Sequence, residues 1–550
     1  MPDVPRGGLA ETLVPAPSSY RETGGVTRLG DGMTIEAPKE LAVVARWFRR
    51  VLEQATRWSV GVCHDGEADP DGAGLVRLEL APADGKVGGT VLASTEAYLL
   101  HIGSGVVTVT AAAPAGVFYG LQTLRQLLPH SWWRAARGEP AETVELAGAD
   151  IFDEPAFSWR GVHLDVSRHF MAKGFVLRLI ELIAMHKCNV LHLHLTDDQG
   201  WRMPVAAYPR LVEVGAWRRE SPAGHYLDKR TDGSPHGGYY STEDLREIVA
   251  YAAEHFVDVL PEIDMPGHMV AAIASYPELG STRAELEVST KWGISEHVLN
   301  LGPATVRFCT DVLDEVVGVF PWRFVHIGGD ECPTTEWESS DEAQALMREE
   351  GFERERQLYG WFTAKIAQHL SQRGRLLVGW DEILEGGAPP GAVVMSWRGE
   401  EGGIEAAKAG HDVVMAPEQW LYLDWAYADD PREPIAIRPA TSVEKVWSYD
   451  PVPESMPADC RHRVLGAQCQ LWTEYVPDAG RAEYMYFPRV CAFAEVVWRG
   501  PAVSDRTGLR TFSEFEARLR RHLRRLDALG VNYRPLDGPT PGQSRTWVQP

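Results

Sequence analysis

Eight apolar runs, each finishing on polar or aromatic residues, dominate the sequence beyond residue 155. They are GVHLDVS (161–167), NVLHLHLTDD (189–198), VDVLPEIDMPGH (257–268), FVHIGGDE (324–331), RLLVGWDE (375–382), AVVMSWRG (392–399), HDVVMAPE (411–418) and VLGAQCQLWTE (464–474). Short, continuously apolar runs are the pattern of strands covered on both faces. Helical periodicity fills several of the gaps, at 175–187, 241–256, 303–320 and 354–373. In the second of these, Ser241 and Asp244 have the spacing of a capping box. Eight such strands alternating with helices predict an α/β fold, a (β/α)8 TIM barrel. A doubly wound open sheet is the rival, but no glycine-rich phosphate loop follows any strand.

The strand ends reinforce the barrel. Asp165 and Arg168, Asp197-Asp198, His268, Asp330-Glu331, Trp380-Asp381, Trp397, Trp472 and Glu474 stand at or just past them. Buried strands have no packing reason to finish this way, whereas a barrel gathers all eight C-terminal ends at one catalytic mouth.

Ahead of the barrel, residues 40–56 place Leu41, Val44, Phe48, Val51, Leu52 and Ala55 on one helical face. Strand-like runs follow at 75–80, 96–102 and 105–111, then a helical run at 117–128. The expected organisation is a small α/β domain over 1–150, the barrel over 151–505, and a closing helix with an extended tail over 506–550.

The 77 acidic and 54 basic residues give a formal charge of −23, which argues against nucleic acid or an anionic membrane as partner. No apolar run is long enough to span a bilayer, and the first residues lack the pattern of a signal peptide. The seven cysteines are scattered, without a Cys-x-x-Cys pair, so neither a disulfide framework nor a zinc knuckle is expected. A cytoplasmic location fits; a secreted chain whose signal has been removed reads the same. Oligomeric state is not encoded in any pattern here. The 19 tryptophans suit a site that stacks sugar rings, and equally a large aromatic core.

The stretch HIGGDE holds two adjacent acids just past a strand. Close carboxylates repel, so one should keep its proton nearer neutrality, as a general acid must. A helix N-terminus would also welcome the pair; after Gly328-Gly329, among so many polar strand ends, catalysis is the better reading. His163, His192, His194, His268 and His326 lie on or near strands, with His192 and His194 on one side of theirs. No helical His-x-x-x-His pair accompanies them. The expectation is no metal and no cofactor, with most of these histidines, His326 among them, packing or supporting other groups.

Glycoside hydrolysis commonly uses two carboxylates on opposite sides of the bond. Neighbours in the chain cannot easily straddle a sugar. Either a nucleophile lies elsewhere, or the substrate supplies one, as an N-acetyl group on carbon 2 can through its carbonyl oxygen. Asp330 would then orient the acetamide and Glu331 protonate the leaving group.

The motifs DVSRHF (165–170), HLHLTDDQGWR (192–202), PEIDMPGH (261–268), HIGGDE (326–331), GWDE (379–382), SWRG (396–399), YLDW (422–425) and QLWTEY (470–475) resemble, in order, those of the β-N-acetylhexosaminidases of glycoside hydrolase family 20. The resemblance implies an exo-acting, retaining hydrolase of terminal β-linked N-acetylglucosamine or N-acetylgalactosamine that works through an oxazolinium intermediate. It implies that Glu331 is the acid/base, that Asp330 orients the acetamide and stabilises the intermediate, and that Tyr422 donates to the acetamide carbonyl. It makes Trp380, Trp397 and Trp472 the walls of the sugar pocket, and Arg168, Asp424 and Glu474 its hydroxyl ligands. It makes Asp197 and His268, counted with the substrate site, a dyad that tunes Glu331. The partner implied is an N-acetylhexosamine-terminated oligosaccharide or glycoconjugate. A non-catalytic carbohydrate-binding barrel is the alternative, against which Asp330, Glu331 and Tyr422 stand intact. A conventional glycosidase using Glu474 or Asp381 as second carboxylate is a further one.

Overall fold

The computed structural model describes residues 12–64, 66, 73–103, 105–134, 140–500 and 511–539. Eight parallel strands close into a barrel: β1 (Trp159–Asp165), β2 (Val190–His194), β3 (Asp258–Glu262), β4 (Phe324–His326), β5 (Leu376–Trp380), β6 (Val393–Ser396), β7 (Val413–Met415) and β8 (Val464–Cys469). All eight strands predicted from the sequence are present in that order. β8 pairs back onto β1, with Trp159 opposite Gly466. The lower interior is apolar, filled by Trp159, Leu260, Phe324, Val378, Met395 and Val414.

Above this apolar filling, the strand register gathers a polar layer. Asp165 lies opposite His194, His194 opposite Glu262, and Glu262 opposite His326. Four polar side chains from β1 to β4 therefore share one level of the barrel, just below its C-terminal rim.

Helices Lys173–Met185, Thr242–Glu254, Pro303–Val319 and Arg356–Gln372 fall where periodicity puts them. The capping box is formed: Ser241 Oγ accepts from the Asp244 amide, and the Asp244 carboxylate accepts from the Ser241 amide. The C-terminal helix Phe512–Ala528 is capped alike by Thr511 and Glu514.

The N-terminal domain is a seven-stranded mixed sheet with helices Ala42–Thr56 and Pro114–Leu127. Its two longest strands, Ser19–Leu29 and Val144–Asp153, form an antiparallel pair that the sequence patterns do not reveal. Most side chains of Ser19–Leu29 face solvent and its register slips between Glu22 and Val26, so period-two alternation never develops. A boundary at residue 150 falls inside Val144–Asp153; the barrel begins at Trp159. The limit expected at 505 lies outside the described residues, as does the end of the tail.

Buried ion pairs tie the domains together. Lys187 Nζ sits 2.6 Å from Asp153 Oδ2 and Arg160 Nη2 sits 2.6 Å from Glu96 Oε1. Arg518 of the C-terminal helix meets Glu495 at 2.7 Å, and Glu495 also accepts from the Ala16 amide. All seven cysteines are free. Among the described residues, no helix is long and apolar enough to cross a membrane.

Candidate active site

The acid pair is delivered by a turn that only its sequence allows. After β4 the chain passes through Gly328 (φ +63°) and Gly329 (φ +90°), and Glu331 itself is left-handed (φ +47°). A Cβ on Gly328 would lie 1.9 Å from Asp264 Oδ1, the atom that accepts the Gly329 amide at 3.0 Å. Tyr359 Oη donates to the Gly329 carbonyl at 2.6 Å and holds the turn from the other side. The left-handed geometry of a residue with a side chain is costly and must be imposed by its surroundings. Here it separates two consecutive side chains: Asp330 is buried, while a third of the Glu331 side chain reaches solvent. Gly328→Ala is expected to cost about 3 kcal/mol or more, from strain plus the clash with Asp264. Thermal denaturation of the variant measures it, and an unchanged midpoint would refute this account of the turn.

Behind the pair runs a row of alternating charges. His268 Nε2 lies 3.5 Å from Glu331 Oε2 and 4.0 Å from Asp330 Oδ2. Its Nδ1 lies 3.1 Å from Asp197 Oδ1. Asp197 Oδ2 in turn receives Arg168 Nη2 at 2.7 Å and His194 Nε2 at 3.0 Å. The other nitrogen of His194 rests on Glu262. An imidazole with a carboxylate on each nitrogen carries both protons, so His194 is a cation by geometry alone. Glu262 also faces His192 Nε2 at 3.1 Å and His326 Nδ1 at 3.0 Å, and accepts from Trp380 Nε1 at 3.0 Å. His326 Nδ1 also accepts from the Gly328 amide at 2.9 Å, so this ring supports the acid turn and does not merely pack.

The ionisations follow from these contacts. Burial opposes charge on His194 and His268, but Glu262 and Asp197 respectively outweigh it and hold each ring well above the ordinary imidazole value. Burial likewise opposes charge on Asp197 and Glu262, yet Arg168 and His194 lead the groups that hold them well below the carboxylate range. Asp330 is pushed up to about 6. Burial is the main cause, with repulsion from Glu262 and Glu331 behind it and His268 opposing. Mutual repulsion, the cause read from the sequence, is the lesser contribution.

The pocket walls come from β5 to β8 and the loops above them. Trp397 and Tyr422 stack at 6.1 Å with 16° between planes, and Trp472 stands 6.3 Å from Tyr422 and 5.9 Å from Trp380. The Arg168 guanidinium lies 5.0 Å over Trp472. Trp397 Nε1 donates to Glu382 Oε2 at 3.0 Å. Burial, with the nearby Asp330 behind it, pushes Glu382 up to about 9, against the pull of Trp397 and Arg398. Both oxygens of Asp424 and Oδ1 of Asp330 are buried with no hydrogen-bond partner among the described residues. Burial pushes Asp424 well up, helped by Glu474, which burial also raises.

All eleven residues singled out in the sequence therefore meet at the C-terminal end of the barrel. Two differ in how they stand. Asp197 has both oxygens saturated, by Arg168, His194, His268 and the Asp198 amide, so it acts behind the site and not on a ligand. Arg168 spends three of its five N–H directions on Asp197, Asp165 and Gln199; it is an ion-pair member as well as a rim residue. Glu262, His194, Asp264 and Glu382 were not assigned from the sequence. Glu262 left a signal: an acid on an otherwise apolar strand must have partners waiting across the barrel.

Several of these groups bring ligand atoms within 4.8 Å of one another, as in His192–Glu262–His326 and Asp197–Asp198–His268. In both, the ring nitrogens already face carboxylates at hydrogen-bond or ion-pair distance.

Two family models cover the chain almost end to end: Glycosyl hydrolase family 20, catalytic domain, over residues 157–501, and its domain 2 over residues 10–153. A beta-hexosaminidase of Porphyromonas gingivalis is 37% identical over 99% of this chain and 67% of that protein. A beta-N-acetylhexosaminidase of Cellulomonas fimi is 30% identical over 99% of both. Among solved structures, the exo beta-N-acetylglucosaminidase of Vibrio harveyi in complex with N-acetylglucosamine superposes with a TM-score of 0.82 at 31% identity, over 96% of this chain and 79% of that one. A mutant Streptomyces plicatus beta-hexosaminidase in complex with product (GlcNAc) gives 0.80 at 30% identity, over 100% and 99%. The barrel carrying the acid turn is the matched catalytic domain and the mixed sheet ahead of it the matched second domain, and the chain belongs to glycosyl hydrolase family 20.

Proposed function

We propose that this β-hexosaminidase removes a terminal, non-reducing β-linked N-acetylhexosamine with retention, using the substrate's own acetamide as nucleophile. The observation that carries the proposal is Asp330 Oδ1. It is a buried acceptor without a hydrogen-bond partner among the described residues, beside a pocket walled by Trp380, Trp397, Tyr422 and Trp472, where an acetamide N–H would satisfy it.

In the first step the acetamide carbonyl oxygen attacks the anomeric carbon as the glycosidic bond breaks. Glu331, the more exposed acid, gives its proton to the departing oxygen. Asp330 accepts the acetamide N–H and, when ionised, offsets the positive charge that grows on the oxazolinium ring. Tyr422 donates to the acetamide oxygen and aligns it. In the second step Glu331 takes a proton from water, which opens the ring at the same face the leaving group left. Arg168, Asp424 and Glu474 take the sugar hydroxyls. His268 rests against Glu331 with Asp197, His194 and Glu262 behind it, so the acid's surroundings are fixed by a row of groups and not by one dyad. A conventional nucleophile is disfavoured at Asp381, whose carboxylate is spent on Arg398 at 2.6 Å.

The decisive measurement compares p-nitrophenyl N-acetyl-β-glucosaminide with p-nitrophenyl β-glucoside. Turnover of the first and almost none of the second is expected. Comparable rates would end the substrate-assisted reading, and tight binding without turnover would favour a barrel that only binds.

The pH profile offers an independent check. Below about 6 Asp330 becomes neutral and loses its charge stabilisation, so kcat/KM of the free enzyme should fall on the acid side near that value. The same group affects stability with a definite sign. Its folded value lies above the ordinary carboxylate value of about 3.9, so its contribution is greatest at low pH and is lost as pH rises through about 6. A profile flat from pH 7 to 4 would contradict the role given to Asp330.

A further inference from the structure

Two consecutive acids of one short turn hold one wall of the mouth. β5 ends at Trp380 and runs without a break into the 3₁₀ turn Asp381–Leu384. β6 is paired beside it, with Met395 opposite Trp380, and ends at Ser396, just before Trp397. Asp381 holds the backbone of that junction: its Oδ2 accepts from the Trp397 amide at 3.3 Å and its Oδ1 from Arg398 Nε at 2.6 Å. Glu382 holds the indole: its Oε2 accepts from Trp397 Nε1 at 3.0 Å. The other oxygen of Glu382 lies 3.7 Å from Arg398 Nε, which Asp381 already meets.

Trp397 is the wall that packing fixes least. Trp380, Tyr422 and Trp472 are buried, whereas Trp397 is only partly covered, although the carboxylate behind it is 6% exposed. Its ring lies against Tyr422, at 6.1 Å and 16° between planes. Stacking sets the plane of a ring but leaves it free to slide and turn within that plane. A hydrogen bond from the ring edge is directional and removes that freedom.

With the acetamide N–H on Asp330 and its oxygen on Tyr422, the acyl carbons lie in the pocket that Trp380, Trp397 and Trp472 enclose. We propose that Glu382 is a positioning residue that sets the size of this acyl pocket. It touches no substrate; by fixing the Trp397 indole it makes the enzyme accept an N-acetyl group and refuse a longer N-acyl chain. This role rests on the substrate-assisted reading above, and adds to it the residue that decides which acyl group can serve as nucleophile.

The test uses p-nitrophenyl β-glucosaminides carrying N-acetyl, N-propanoyl or N-butanoyl groups. In the parent, each added methylene is expected to lower kcat/KM about tenfold or more. Glu382→Met is close in volume but accepts no N–H, and Arg398 keeps Asp381 and Glu385, at 2.6 and 2.7 Å, so no cation is stranded. On the N-acetyl substrate its kcat is expected to fall about tenfold with KM changed less, because a shifted wall spoils the alignment of attack. Its penalty for each added methylene should shrink at least about threefold. Glu382→Gln keeps an oxygen for the indole and should keep the parent's acyl preference. In a Trp397→Phe background there is no N–H to hold, so adding Glu382→Met should leave the acyl preference of that background unchanged. Glu382→Leu serves in its place should Glu382→Met not fold. A parent-like acyl preference in Glu382→Met, a loss shared equally by all three substrates, or a preference relaxed as much by Glu382→Gln would overturn the proposal. A parent that cleaves the β-glucoside as fast as the N-acetyl substrate would instead strike the substrate-assisted reading, so the two failures are distinguishable.

Discussion

A Glu331→Gln enzyme is expected to keep its fold and lose about 10²–10⁴-fold in kcat/KM on an N-acetylglucosamine disaccharide. Glutamine preserves the shape and the neighbourhood of His268 but has no proton to give. The size of the loss should depend on the leaving group. An alkoxide needs the proton to depart, whereas p-nitrophenolate leaves without it. The deficit in kcat/KM is therefore expected to be at least about tenfold larger for the disaccharide than for the p-nitrophenyl substrate. Equal deficits on both would mean that Glu331 is not the acid, whatever else it does. Glu331 lies 3.5 Å from His268 and is the more exposed of the pair, as a group facing the leaving side should be.

Asp330→Asn probes the other half of the mechanism and should behave differently. Asparagine can still accept the acetamide N–H, so substrate binding should change little. What disappears is the negative charge opposite the developing oxazolinium. Removing one preorganised electrostatic group of this kind costs about 2.7–4 kcal/mol, or 10²–10³-fold in kcat. The loss should therefore appear in kcat more than in KM, and the acid limb near pH 6 should vanish with the group that causes it. Wild-type turnover in the variant would remove Asp330 from the chemistry.

How far these residues could be read from the chain depends on where their partners lie. The eight barrel strands were legible because burial on both faces makes each one continuously apolar, a property of the strand itself. The capping box at Ser241 was legible because it closes within four residues. Strand Ser19–Leu29 was not, since an exposed pairing strand needs no apolar pattern. The site divides along the same line. Asp330, Glu331, His268 and the tryptophans stand at strand ends, which a barrel brings together whatever its loops do. Glu262 and Glu382 owe their behaviour to groups from other strands and loops: Glu262 to His194, His192 and His326, Glu382 to Asp330 and Trp397. That one acid of the pair would be raised was legible from the dipeptide; that it would be Asp330, the group assigned to the acetamide and not the general acid, and that burial would be the main cause, was not, because burial belongs to the folded barrel.

The row from Glu262 to Glu331 has a consequence for how such a site could be altered. From Glu262 to His268 each link is stabilised by an opposite neighbour, so exchanging Glu262, His194 or Asp197 alone strands an unbalanced ion in a place water does not reach. The buried polar layer beneath the rim therefore acts as a lock on the catalytic pH range set above it, one that changes at the acid pair itself leave in place.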